Sequence, residues 1–282
     1  MSERWNDWIG KPERTQDSVA GPAVARFAAM LDSPQPAGTS APQGFHWCLC
    51  LPDAPTAEID VDGHPRRGTF LPPIALPRRM WVGSEVDFVA PLPLGAQVER
   101  VSTVASVAEK DGSSGRLAFV EIDHVTSADG VVAVRERQTI VYREAAASAQ
   151  AKAAAAPVLA PPDLSGWPWQ RRVVPGEVLL FRYSALTFNS HRIHYDLPYA
   201  TEVEGYRGLV VQGPLTASLL LDLCARALGP DALASFAFRA RTPAFSGEAM
   251  HLVGRRDGGG ITLAALGGDG RTIISATATA RS

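Results

Sequence analysis

Two stretches of the chain carry the same rhythm of apolar and β-branched runs broken by glycine turns. In the first, Val98 to Val107, Leu117 to Val125 and Val131 to Tyr142 are separated by turns at Asp111 to Gly115 and at Asp129-Gly130. In the second, Ala249 to Gly254, Ile261 to Leu266 and Thr272 to Ala280 are separated by Asp257 to Gly260 and Gly267 to Gly270. Such runs, punctuated by residues that tolerate positive φ, predict antiparallel meanders in both places. The preceding blocks also correspond. Pro91 and Gly95 fall in Val86 to Val98, and adding 152 places them on Pro243 and Gly247 in Phe238 to Met250. The pattern reads as a duplication.

The two copies are divided by a break in composition from Glu144 through an alanine run to Pro157, Pro161 and Pro162, where no apolar stripe is left to bury. This predicts units over 1–144 and 167–282 with an Ala/Pro linker over 145–166. In the second unit Pro214 to Leu228 is apolar nearly all round, with Asp222 and Arg226 its only charges, and Gly229-Pro230 stops it. Spanning a bilayer takes about 20 residues, so this shorter helix has to be wrapped by protein, and a meander curled round it satisfies both patterns. Gly21 to Leu31, with Val24, Phe27, Ala28 and Leu31 on one face, is the candidate counterpart in the first unit. Val178 to Thr187 reads as a strand.

Composition narrows the classes of partner. The 282 residues hold 27 basic and 29 acidic side chains, a net charge of −2, with 46% apolar residues. Without a Lys/Arg block or a long apolar run, a nucleic-acid or membrane partner held by bulk charge or insertion is excluded, and a small ligand is favoured. The N-terminus lacks the layout of a signal peptide, so a cytoplasmic protein is expected. Cys48, Cys50 and Cys224 are too few and too scattered for a disulfide framework or a four-cysteine zinc site and read as reduced packing residues.

Six histidines occur, and the only two close together lie in Asn189-Ser-His191-Arg192-Ile-His194-Tyr-Asp196. His46, His64, His124 and His251 read as structural, since no acid, thiol or Gly-rich turn accompanies them. The 189–196 segment precedes a helix opening at Gly213-Pro214, which offers a base beside backbone amides at a helix N-terminus. Metal binding by His191, His194 and Asp196 is set aside because the Tyr195-Asp196 step and Pro198 turn the three apart, so no metal is expected. A serine hydrolase is set aside because Gly-x-Ser-x-Gly is absent.

Phe181 to Ala200, followed by Gly208-Leu-Val-Val-Gln-Gly213-Pro-Leu215, resembles the hydratase motif of MaoC-like enzymes. More narrowly it is similar to the two-hotdog acyl-thioester dehydratases that include 3-methylfumaryl-CoA (mesaconyl-CoA) hydratase. Gly68 to Trp81 and Gln138 to Glu144 extend the resemblance into the first unit. The resemblance implies an α+β double hotdog, each half a curved antiparallel sheet wrapped around a central helix; the first copy shows no equivalent of Asn189 with His194 and so reads as degenerate, the second as catalytic. It also implies reversible addition of water to the 2,3 double bond of an enoyl-CoA such as 3-methylfumaryl-CoA, giving citramalyl-CoA or a related 3-hydroxyacyl thioester. Coenzyme A enters as part of the substrate, with no separate cofactor. His194 is then the catalytic histidine and the Gly213 amide the donor to the thioester oxygen. Broader MaoC-like hydratases carry an aspartate where this chain has Asn189.

The chemistry can be built around that change. Water attacks Cβ while charge moves onto the carbonyl oxygen, so the transition state wants a base and a preorganised donor. Neutral His194 can take the water proton and return it to Cα, Asn189 can orient the water, and Gly213 N–H can hold the enolate oxygen. His191 is a second acid/base candidate, with a turn or capping role as the plainer reading. A dicarboxylic substrate needs a cation, for which Arg79, Arg182 and Arg192, together with Arg78, are candidates, as surface charge or phosphate contacts would also explain. Thioester hydrolysis and non-catalytic acyl-CoA binding are the alternatives. Edge strands favour a homo-oligomer.

Overall fold

In a computed structural model, which describes residues 3–33, 38–112, 115–144 and 160–281, ten strands form one antiparallel sheet. The first half supplies β1 (Pro12–Ser18), β2 (Ser40–Ala41), β3 (Arg78–Phe88), β4 (Leu92–Pro93), β5 (Gln97–Gly112), β6 (Gly115–Ala128) and β7 (Val131–Arg143). The second supplies β8 (Trp169–Val173), β9 (Leu233–Ala240), β10 (Met250–Asp257), β11 (Gly260–Gly267) and β12 (Thr272–Ala280). β2 and β4 form a separate short ladder, and the large sheet runs β1-β5-β6-β7-β3-β9-β12-β11-β10-β8. Read inward from either edge, each half therefore shows the same order of its own five long strands: first, third, fourth, fifth, second. The duplication inferred from turn spacing is thus a repeat of topology.

The turns sit where turn chemistry placed them. Asp129 and Gly130 both have positive φ, 47° and 82°, as do Gly258 and Gly259, 54° and 93°, which suits tight hairpins on right-twisted strands. The halves join through equivalent strands, β3 and β9, paired from Gly83↔Arg239 to Asp87↔Ser235. At Gly83 a Cβ would lie 2.5 Å from the Phe238 carbonyl oxygen, so the seam closes only over a residue without a side chain. One core cluster runs through both halves, and a smaller one lies under β5, β6 and β7 around Val104, Val120 and Tyr142. Of the expected linker, 145–159 lie outside the described residues; Ala160 backs closely onto Gly270.

Among the described residues three α-helices accompany the sheet: α1 (Gly21–Met30), α2 (Glu177–Thr187) and α3 (Gly213–Leu228). α3 is the wrapped helix, buried continuously from Leu215 to Cys224. Its one buried charge, Asp222, is matched by Arg171 at 2.5 Å and Arg226 at 2.6 Å and accepts a bond from the Ser33 hydroxyl. Among the described residues no helix is long and apolar enough to cross a membrane.

Two expectations about helices change. Val178 to Thr187 lies within α2 and is not a strand. Val178 and Phe181 are 71% and 69% exposed while Leu180 and Tyr183 are buried, so its apolar residues are spread round the helix and leave no helical stripe to read. α1 also differs from the counterpart anticipated for α3. It follows β1 directly, as α2 follows β8, and buries only one face, through Val24, Phe27, Ala28 and Met30. In the first half the place of α3 is taken by residues 42–77, whose only helical turns are short 3₁₀ segments at Phe45–Cys48 and Thr56–Glu58.

Candidate active site

The segment that carries the paired histidines begins where α2 stops. Phe188 takes a left-handed conformation, φ 47° and ψ 35°, which ends the helix and turns the chain inward. Asn189 Oδ1 then accepts the His191 backbone N–H at 3.0 Å, a local turn that a short amide side chain makes readily. A 3₁₀ turn over Arg192–His194 follows and buries His194. His194 Nδ1 donates to the Val210 carbonyl at 2.7 Å; a carbonyl only accepts, so Nδ1 bears the proton and the Nε2 lone pair is free. Burial is the main force pushing His194 down to about 4, against the Val210 bond, so its ring is neutral near pH 7.

The residue that fixes His194 also fixes the helix. Val210 N–H donates to the Ile193 carbonyl at 3.0 Å, and Val211 N–H to the Ala244 carbonyl at 2.9 Å. Three residues after Val210, Gly213 opens α3, with its N–H left without a backbone acceptor among the described residues, as first-turn amides are. Gln212 Nε2 reaches back to the Leu180 carbonyl and the Ser184 hydroxyl, both at 3.0 Å, and ties α2 to this entrance. A base, a turn-forming amide and a helix N-terminus are thereby held on the wall of one cavity of about 1780 Å³. Its size exceeds the roughly 300–1,000 Å³ of common small-ligand clefts and suits a long thioester.

The arginines named from the sequence separate by their surroundings. Arg78 is buried and neutralised by Glu204, with Nε to Oε2 at 2.6 Å. Arg192 is on the cavity wall but bonds Asp196 at 2.7 Å and lies over the Tyr199 ring. Arg182 is exposed on α2 next to Phe181, itself part of the wall, and does not line the cavity. Arg79 lines the cavity without a carboxylate ion-pair partner among the described residues.

The first half contributes more to this site than the sequence suggested. His64 and Asp62, on a turn before β3, come to the His191 ring: the His64 and His191 centroids are 4.1 Å apart, and His191 and His194 are 5.3 Å apart. Asp62 binds the His64 ring at Nδ1 and its backbone N–H, both at 2.9 Å. The reading of His64 as unaccompanied by an acid is therefore corrected, as is that of His46, whose Nε2 lies 3.5 Å from buried Glu136, and of His124, which is within reach of the same charge while its ring contacts Ser102 and Gln138. Trp47 Nε1 donates to the Glu136 carboxylate at 3.1 Å; burial pushes it up, and His46, His124 and the Ser84 hydroxyl outweigh that and hold it down to about 2. The signal for His64 was Asp62-Gly63-His64, an acid and a turn glycine immediately before a histidine.

Asp62, His64 and His191 bring ligand-type atoms within 4.8 Å of one another. Both Asp62 oxygens are already used by His64, and Arg79 is near enough to oppose added positive charge on His64 and His191. The donor set thus fits a hydrogen-bonded acid–imidazole pair better than a cation site. Asp196, once weighed as a ligand with His191 and His194, faces Arg192 and the Tyr199 amide. Burial raises the Cys48 and Cys224 thiols to about 12, which leaves neither as a thiolate nucleophile.

Comparison with known proteins shows the family and the fold. The family model for hydroxyacyl-thioester dehydratase type 2 matches residues 44–246. The mesaconyl-C(4)-CoA hydratase of Chloroflexus aurantiacus is 42% identical over 279 residues, 98% of each chain. A MaoC-like dehydratase from Phytophthora capsici superposes with a TM-score of 0.70 at 12% identity, covering 99% of this chain and 98% of that one. A conserved protein of Mycobacterium tuberculosis described as a double hotdog fold gives 0.59 at 12% identity, covering 96% of each.

Proposed function

We propose that this chain, which belongs to the hydroxyacyl-thioester dehydratase type 2 family, adds water reversibly to 3-methylfumaryl-CoA (mesaconyl-CoA) to give citramalyl-CoA. Family membership makes it an acyl-thioester hydratase/dehydratase, and the particular thioester is our reading. One observation carries it: a neutral, buried imidazole with a free Nε2, His194, shares a cavity wall with the unpaired Gly213 N–H at the mouth of α3. In the hydration direction His194 Nε2 takes a proton as the water oxygen bonds Cβ. The π pair moves onto the thioester carbonyl, whose developing charge is met by the Gly213 N–H and the positive end of α3. The Asn189 amide N–H₂ stays available to orient the water while its Oδ1 shapes the turn.

The dicarboxylic substrate is supported by the cation distribution. When the thioester of a mesaconyl group is at C4, its free carboxylate and methyl sit on Cβ, close to the base. Arg79, without an ion-pair partner in the cavity wall, is suited to that carboxylate; Arg182, exposed at the wall's edge, is suited to the coenzyme A phosphates, and Arg192 to a rim contact beyond its bond to Asp196. The test compares mesaconyl-C4-CoA with crotonyl-CoA in the wild type and in His194→Ala and Arg79→Gln. We expect preference for the dicarboxylate, a loss of about 10²–10⁴ in kcat for His194→Ala, and a raised KM for mesaconyl-C4-CoA alone in Arg79→Gln. Preference for crotonyl-CoA would defeat the substrate reading, and a near-normal rate in His194→Ala would remove His194 from the mechanism.

A further inference from the structure

Hydration has two proton transfers: one from water as it adds to Cβ, and one to Cα. His194 is suited to the first. Asn189 has no proton to exchange, and its Oδ1 is engaged by the His191 N–H. The second transfer points to a group from the other half of the molecule.

Residues 59–65 form a tight turn, closed by the Ile59↔Pro65 bridge and by the Asp60 N–H to the His64 carbonyl at 2.7 Å. It is fitted against the catalytic segment at backbone level. Arg192 N–H donates to the Asp62 carbonyl at 2.9 Å, the Ser190 hydroxyl to the Gly63 carbonyl at 2.5 Å, and Arg192 Nη1 to the Val61 carbonyl at 3.1 Å. Gly63 has φ +92°, and a Cβ there would lie 1.9 Å from the Ser190 carbonyl oxygen, so no side chain fits between the two segments. Its neighbour His64 is thereby set on the cavity wall beside His191, with Asp62 on Nδ1 and Nε2 left as the atom for exchange.

We propose that His64, held by Asp62, is the second acid–base group of the reaction, giving a proton to Cα in hydration and removing it in dehydration. The proposal rests on the enoyl-thioester reading above. The groups acting on His64 are Asp62 from its own turn, Arg67 from the segment that follows, Arg79 from β3, and His191 and His194 from the facing segment. In the free protein burial and Arg79 push the His64 imidazole down while Asp62 draws it up. A substrate carboxylate on Arg79 cancels that opposing charge, and His64 takes a proton from solvent, with Nδ1–H on Asp62 and Nε2–H towards Cα. As the Cβ–O bond forms, the water proton passes to His194. The enolate then collapses, the carbonyl re-forms and Cα takes the His64 Nε2 proton. His194 releases its proton to solvent and His64 regains one, so a turnover consumes one water and no net proton.

The test uses the full-length protein and the enoyl thioester it hydrates, with His64→Gln and with the double variant Asp62→Asn/His64→Gln, which removes the buried charge together with the ring and guards against misfolding. Three results are expected: kcat falls about 10²–10³-fold with KM within about threefold, the alkaline limb of the wild-type kcat–pH profile is lost, and exchange of the Cα hydrogen of the hydrated thioester with D2O slows in step. A variant kcat within about threefold of wild type, or a raised KM with kcat and the alkaline limb retained, overturns the role and leaves His64 a binding or structural residue. A wild type inactive on every enoyl thioester sinks the parent reading and this one together; an active wild type with unaffected variants sinks this one alone.

Discussion

A backbone donor can be tested only by removing its hydrogen, and Gly213 allows that. It is the first residue of α3, where proline is tolerated, and Gln212 before it has φ −61° and ψ 132°, the extended conformation a residue preceding proline prefers. The Gly213 N–H has no backbone acceptor among the described residues, so Gly213→Pro deletes no helical hydrogen bond. What it removes is the donor proposed above for the thioester oxygen, and loss of one such donor costs about 10²–10³ in kcat, or roughly 2.7–4 kcal/mol of transition-state stabilisation. Gly213→Ala is the matched control: it keeps the N–H, and its Cβ would meet the Trp81 carbonyl oxygen at 3.5 Å, an ordinary contact. Both proteins are assayed by loss of the enoyl-thioester absorbance at saturating substrate, with circular dichroism and thermal unfolding to compare their folds. The expected order is Gly213→Ala close to wild type and Gly213→Pro lower by the factor above. A folded Gly213→Pro protein within about threefold of wild type would refute the oxyanion role.

Other consequences concern stability. Gly63→Ala combines a positive φ with a backbone collision and should cost at least about 1–3 kcal/mol of unfolding free energy; an unchanged urea midpoint would show that the turn at 59–65 is not docked as described. His194 and His124 are both held at about 4, below the usual 6.5. The unfolded chain binds more protons between those values, so stability falls as pH drops through that window, by up to about 3 kcal/mol for each histidine. Unfolding titrations at pH about 7 and about 5 should show the decrease, His124→Gln should reduce it, and equal midpoints would contradict the burial of these rings.

The repeat was legible because turns are local. Asp129-Gly130 and Asp257 to Gly260 announce hairpins through the conformations only certain residues adopt, and the strands between them follow from β-branched content. α3 was legible for a different reason: an all-round apolar helix, closed by Gly229, has to be buried. α2 was not, since Val178 and Phe181 face outward and blur its period. The helix expected over Gly21 to Leu31 forms as α1, but by its place after β1 it matches α2, and nothing in residues 42–77 states that an irregular segment stands in the position of α3.

For the site, the second-half motif could be read from local order: Asn189, His191, His194 and Gly213 lie close in the chain, and the turn, 3₁₀ segment and helix start that present them are local structures. Which tautomer His194 holds, through the Val210 carbonyl, and that Glu204 claims Arg78 from 126 residues away, came from contacts distant in the chain. Only the tertiary structure decided that His64, with Asp62 bound to its ring, lines the same cavity. A hydrogen bond such as Arg192 N–H to the Asp62 carbonyl depends on the two halves closing along β3 and β9, and long-range closure leaves no signature in either segment alone.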